Sequence, residues 1–195
     1  MTATAALPAG PFGTVVADPP WEVRTGPLRG REGFVDCITG PSRPLAYPTM
    51  TVEEIAALPV RGVVAEDAHL YLWTVNRFVD EAFDVARAWG FRYSTLLTWS
   101  KAVMGGGLGG TYGISSEHVL FCRRGSLGRG RRVRGTVFDW KRPYDHRGKP
   151  KHSAKPPQFF DMVMGVSPGP FLELFARDPR LGWTTWGNEL QREAC

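Results

Sequence analysis

The sequence predicts an α/β fold, a three-layer sandwich on a mainly parallel sheet, and three observations point there. Short apolar runs, beginning with Thr14-Val15-Val16-Ala17, alternate with segments whose apolar residues recur at helical spacing. A capping box, Thr51-x-x-Glu54, and a closing glycine, Gly90, bracket helical stretches. An acidic residue, Asp18, stands at the exit of the first apolar run, where open α/β sheets bind ligands beyond the carboxyl ends of their strands.

The elements follow in order. After the strand over residues 14–17 comes a Gly/Pro-rich stretch from Glu22 to Pro48, too long for a mere connection. Residues 51–58 read as a helix and 69–74 as a strand. Asn76 is placed to cap a helix through Phe78, Val79, Ala82, Phe83, Val85, Ala86 and Trp89. Further strands are expected at 93–99, 118–122 and 136–140. Pro156 and Pro157 open a helix through Phe159, Phe160, Met162 and Val163, and residues 171–176 form the last strand. Gly105 to Gly110 has the literal spacing of a dinucleotide fingerprint. No amphipathic helix follows it and no acidic residue lies about 20 positions on, so it reads as a flexible flap.

At 195 residues, with 43% hydrophobic and 12% aromatic content, the chain has material for one packed core. A single domain spanning 1–195 is expected, with flexible loops near 22–48, 101–115 and 124–150. No run approaches about 18 apolar residues and Met1 to Gly10 lacks a basic start, so neither a membrane span nor a signal peptide is expected, and the expected location is cytoplasmic. Cys37, Cys122 and Cys195 are far apart and lack metal-ligand spacing with the histidines, which argues against a disulfide framework or a metal site.

Net charge is +5, but its distribution says more. The stretch Arg123 to Lys155 holds 12 of the 24 basic residues against only Asp139 and Asp145, a local +10 that leaves the remainder at −5. Within it Arg123, Arg124, Arg129, Arg131, Arg132 and Arg134 are interleaved with glycines. That pattern suits a mobile cationic loop following a phosphate backbone; the bland alternative is a solvated loop.

The most specific feature is Asp18-Pro19-Pro20-Trp21. Asp18 offers an acceptor. Prolines lack a backbone N–H, so the carbonyls of Asp18 and Pro19 are expected to point at a donor without a competing turn hydrogen bond. Trp21 adds a flat apolar face, and together these suit a planar amine such as the exocyclic amino group of a nucleobase. A rigid turn with a core Trp would read the same way. A second constellation, Glu173 to Arg177 followed by Trp183, Trp186 and Gly187-Asn188-Glu189, offers polar groups for ribose hydroxyls and a purine edge, or a chain end folded on a Trp pair.

These blocks, with Tyr47-Pro48-Thr49-Met50, Ser116-Glu117-His118, His152-Ser153-Ala154-Lys155-Pro156 and Ser167-Pro168-Gly169, resemble in order and spacing the family named for the MT-A seventy-kilodalton subunit. These are the S-adenosylmethionine-dependent adenine N6-methyltransferases, and the resemblance covers nearly the whole chain. It implies a Rossmann-like class I methyltransferase fold. Asp18, with the Pro19 carbonyl, would accept from the adenine amine, while Pro20 and Trp21 shape the base slot. Asp18, Lys155, Arg177, Arg180, Asn188 and Glu189 would hold S-adenosylmethionine, with Lys155 on its carboxylate. Tyr47 would close over the base, with His152 and Ser153 on a second gating loop, and Arg129, Arg131, Arg132 and Arg134 would hold the polynucleotide. The loop after Arg177 reads Asp178-Pro179-Arg180, without the His-Asn pair of the human enzyme.

The expected partner is nucleic acid, DNA rather than RNA, with a homodimer or partner subunit left open. Arginine outnumbers lysine 19 to 5, a composition that fits a bacterial or phage source. Two alternatives stand beside adenine N6: cytosine N4 as the target, and a catalytically silent binding subunit. Against the latter, Asp18, Lys155 and Asn188-Glu189 are all present.

Overall fold

The computed structural model describes residues 6–22, 48–101, 112–126, 132–144, 147–149, 154–188 and 190. Seven strands form one sheet: β1 (Phe12–Ala17), β2 (Val64–Thr74), β3 (Arg92–Ser100), β4 (Ser116–Arg124), β5 (Val137–Phe138), β6 (Phe171–Leu174) and β7 (Trp183–Trp186). They lie in the order β5-β3-β4-β2-β1-β6-β7. Every pairing is parallel except those of β4, which runs against β2 and β3. The sheet is thus mainly parallel, as a Rossmann-like methyltransferase fold requires.

Parallel strands covered on both faces need apolar side chains throughout, and all six residues of β1 are buried. Alternation sorts the side chains into two layers. Val15, Leu70, Leu120 and Leu172 face α1 (Val52–Ala56) and α2 (Val79–Ala88), meeting Ile55, Val85 and Trp89. Val16, Trp73, Trp99 and Val119 face α3 (Pro157–Val166), meeting Phe159, Phe160 and Val163.

Local signals set the helix ends. At α1 the capping box forms in both directions, with the Glu54 amide donating to Thr51 Oγ1 at 3.2 Å and the Thr51 amide to Glu54 Oε2 at 2.8 Å. Gly90 ends α2 at φ +86°, a conformation that favours glycine. Trp89 then ties α2 to α1 by donating its indole N–H to the Ile55 carbonyl at 3.1 Å.

Three readings need correction. Asn76 does not cap α2: it opens a 3-10 turn, Asn76–Phe78, and Phe78 sits at the helix start without a side-chain cap. The last strand is not the one expected at 171–176 but β7, formed by Trp183–Trp186, for which no strand was expected. Arg123 and Arg124 belong to β4 and not to a mobile loop. Their guanidiniums donate to Ser94 Oγ at 3.1 Å and to the Arg61 carbonyl at 3.1 Å. The flap reading of Gly105 to Gly110 lies outside the described residues.

Candidate active site

β1 has β2 on one side and β6 on the other, so the chain leaves it in one direction and returns beside it from the opposite one. Such a switch of direction opens a crevice at the carboxyl ends of the strands. Asp18 stands there, one residue past β1. The crevice has a volume of about 250 Å³, and its wall includes Asp18, Trp73, Pro143, Lys155, Phe160, Glu173, Phe175, Arg177 and Arg180.

A row of alternating charges starts in this crevice at Asp18 and Lys155 and continues behind its wall. Lys155, just before α3, places Nζ 2.8 Å from Asp18 Oδ2 and 3.3 Å from Glu117 Oε2. Glu117 Oε1 in turn pairs with Lys101, the residue after β3. The indole of Trp73 lies under the Lys155 ammonium, 5.0 Å from ring centre to nitrogen, and Trp99 lies 4.4 Å from that of Lys101. Because β4 is antiparallel, its amino end, with Glu117, lies beside the carboxyl ends of β2 and β3.

Burial raises the Asp18 carboxyl above its ordinary value, against the opposing charge of Lys155. Burial alone would lower Lys155, but Asp18 and Glu117 outweigh it and hold the ammonium above its usual range. Burial likewise would raise Glu117, yet Lys155 and Lys101 keep its carboxyl below the ordinary value. Glu117 is therefore a fixed anion, whereas Asp18 is the carboxylate whose proton affinity is elevated.

The opposite wall is built by β6 and the turn after it. Phe175 has φ 63°, an unusual value for a residue with a side chain, and directs the chain back toward the crevice mouth. Gly187 leaves no room for a side chain there, since a Cβ would run into the Ala176 backbone. Arg180 donates its Nε–H to Glu173 Oε2 at 3.0 Å and sits over Phe160, with Cζ 3.4 Å from the ring centre. Glu173 is raised by burial, with Arg180 opposing.

Of the residues singled out from sequence, Asp18, Lys155, Arg177 and Arg180 line one crevice. Asn188 is exposed beyond β7 and does not line it. Arg132 and Arg134 are exposed on the approach to β5, which is four strand positions from β1, or roughly 19 Å at ordinary strand spacing. Pro143 of the same segment reaches the crevice wall. Tyr47, Arg129, Arg131, His152, Ser153 and Glu189 lie outside the described residues.

The tetrapeptide differs from its sequence reading in two respects. Trp21 is 5% exposed, stacks on Phe78 at 5.5 Å and donates Nε1–H to the Trp73 carbonyl at 3.0 Å, so it anchors the loop to the core instead of presenting a face to a ligand. A turn hydrogen bond also forms, because the Pro19 carbonyl accepts from the Trp21 amide at 2.8 Å. Removing the N–H groups of Pro19 and Pro20 left the next amide, that of Trp21, free to compete. The Pro20 carbonyl accepts from the Met50 amide at 2.9 Å. In the sequence Glu117 is marked only as part of the Ser116-Glu117-His118 block and Lys101 not at all; the antiparallel pairing of β3 and β4 is what brings both to the site.

Comparison with known proteins adds to this geometry. The family model described as MT-A70 matches residues 12–189. The type II methyltransferase M.MunI of Mycoplasma sp is 30% identical over 194 residues, covering 94% of this chain and 80% of that protein. The N6-methyladenosine RNA methyltransferase MTA1 of Cryphonectria parasitica is 29% identical over 188 residues, 92% of this chain and 52% of that one. The human N(6)-adenosine-methyltransferase catalytic subunit METTL3 is 25% identical over 193 residues, and there the chain spans 28% of its relative. No helix among the described residues is long and apolar enough to cross a membrane.

Proposed function

The chain belongs to the MT-A70 family of adenine N6-methyltransferases, and from that premise we propose that it transfers a methyl group from S-adenosylmethionine to the N6 amino nitrogen of adenine in DNA. The observation that carries this reading is Asp18 at the switch point of the sheet, in a crevice shared with Lys155, Arg177 and Glu173. The choice of DNA over RNA follows the type II methyltransferase, which this chain matches over most of its length, ahead of the RNA methyltransferase that it matches over half. The single sheet formed by the described strands supports a one-domain organisation.

MT-A70 methyltransferases normally use S-adenosylmethionine, and the donor set of the crevice fits it. Lys155 and Arg177 are cations suited to an amino-acid carboxylate, Glu173 is an acceptor suited to hydroxyls, and Phe160 and Phe175 give apolar walls. The cofactor supplies a methyl group already activated on a sulfonium. The chain's residues then have to align a poor nucleophile. The adenine amine lone pair is delocalised into the ring, and acceptors that draw on both N–H bonds localise it toward the methyl donor.

Asp18 is the first acceptor: Oδ2 is held by Lys155, and this reading assigns Oδ1 to the amine. The Pro19 carbonyl is the second, since an oxygen with two lone pairs that already accepts from Trp21 retains one. Most of the rate advantage then comes from orientation: Asp18 acts as an acceptor more than as a strong base, the amine nitrogen gains the methyl as the carbon–sulfur bond breaks, and its surplus proton passes to solvent after transfer.

The test is methylation of DNA and RNA oligonucleotides with labelled cofactor, comparing wild type with Asp18→Ala and identifying the product nucleoside. N6-methyladenine in DNA that disappears in the variant is the expected result. N4-methylcytosine, label confined to RNA, or incorporation surviving the substitution would each overturn part of the reading.

A further inference from the structure

Lys101 and Glu117 belong to none of the roles given above to the reacting groups, yet they continue the charged row that ends on Asp18. The row crosses four segments of the chain: Lys101 after β3, Glu117 in β4, Lys155 before α3 and Asp18 after β1. An ammonium has three donors. Those of Lys155 are directed in part by Asp18 Oδ2 at 2.8 Å and Glu117 Oε2 at 3.3 Å, with the Trp73 ring beneath. Glu117 is itself fixed at its other oxygen by Lys101, whose amide donates to the Ser115 carbonyl at 2.6 Å and whose ammonium lies over Trp99.

We propose that Lys101 and Glu117 are positioning residues that hold Lys155 between two carboxylates and so leave one defined oxygen of Asp18 for the incoming amine. This rests on the reading of Asp18 as the amine acceptor. Without Glu117, Lys155 is free to chelate both oxygens of Asp18 and so block the acceptor. Without Lys101, Glu117 turns its full charge on Lys155 and draws the ammonium away from Asp18.

The two losses act on Asp18 with opposite sign, which separates this role from a merely structural one. Asp18 is faced by Lys155, Glu117 and Arg177, with Glu173, Arg180 and Asp178 on the other wall of the crevice. Removing the Glu117 charge takes away a repulsion and favours ionised Asp18. Removing the Lys101 charge leaves Glu117 less compensated and disfavours it. Because ionised Asp18 is the stronger acceptor for the amine, the acid limb of kcat/KM against pH reports the difference.

The experiment measures that limb for wild type, Lys101→Met, Lys101→Arg, Glu117→Gln and Asp18→Asn on one adenine-containing DNA oligonucleotide, with thermal unfolding of each variant. The limb is expected to move up by about 0.5 pH unit in Lys101→Met and down by about as much in Glu117→Gln, with Lys101→Arg restoring the wild-type position. Shifts in the same direction, or no shift in folded variants while Asp18→Asn is inactive, would overturn the inference and leave the Asp18 reading intact. Activity retained in Asp18→Asn would instead remove the Asp18 reading itself.

Discussion

Two polar clusters border β2, a half-buried one beside its carboxyl end and a buried one near its middle, and the two solve the problem of withdrawing polar groups from water in opposite ways. Beside the end, next to Trp73, Lys155 is flanked by the carboxylates of Asp18 and Glu117, and against the pull of burial the opposed charges hold the Lys155 ammonium above its usual range and the Glu117 carboxyl below its own. Further back, Ser167 Oγ lies 2.8 Å from both His69 Nδ1 and Tyr71 Oη. Here burial keeps the members neutral, lowering His69 to about 4 and raising Tyr71 to about 12. A serine beside a histidine invites a nucleophilic reading, but this histidine stacks edge-on against Phe121 within the sheet–helix interface and lines no part of the crevice. Charge retained at a crevice marks chemistry, and charge suppressed in the core marks packing.

That contrast is broken most directly by substituting one member of each cluster and measuring both activity and stability. Asp18→Ala is expected to lower kcat roughly 100- to 1000-fold, with unfolding little changed because Lys155 keeps Glu117 as a partner. Label incorporation and a thermal scan read the two quantities. A large loss of stability would mean that the charged cluster also holds the fold.

The next largest effect sharpens the neutral cluster. His69 has its folded-state pKa depressed to about 4 from an ordinary 6.5, so at pH above 6.5 both folded and unfolded chains leave it uncharged. As pH falls from 6.5 toward 4 the unfolded state takes up a proton that the folded state refuses, and up to about 3 kcal/mol of stability is lost. Chemical denaturation across that window should show the decline, and His69→Gln should flatten it.

Ser167→Ala comes third. It removes the common partner of His69 and Tyr71 and should cost about 2 kcal/mol in urea unfolding with kcat unchanged. A drop in kcat without loss of stability would assign the neutral cluster to catalysis. The smallest effect belongs to residues in neither cluster. Replacing the exposed Arg132 and Arg134 with Ala should leave unfolding and kcat as they are and reduce the slope of log K for DNA against log salt by about 1 per lost phosphate contact. An unchanged slope would make that segment a solvated loop.

Much of this was legible from local sequence because local physics decides it. The Thr51–Glu54 box and the positive φ of Gly90 involve neighbours a few residues apart, and the apolar run of β1 has to be buried whatever surrounds it. Asp18 followed from β1, since the residue beyond a buried parallel strand faces the crevice. What failed depended on distant partners. Trp21 reads as a ligand face until Phe78 and the Trp73 carbonyl are seen to enclose it. Glu117 and Lys101 gain their role only because β4 runs antiparallel, which no property of residues 116–124 announces. β7 was hidden because Trp183 to Trp186 has the pattern of a strand only once β6 lies beside it.

The anchoring of Trp21 has a consequence for protein engineering. Asp18 faces the crevice while Trp21, three residues on, is fastened to Trp73 and Phe78, and Pro20 between them is fastened to Met50. The tetrapeptide is therefore not a portable cassette. Grafted onto another α/β scaffold it would bring the carboxylate without the socket that aims it. A functional transplant has to carry the end of β2, the turn at Phe78 and the segment at Met50 along with those four residues.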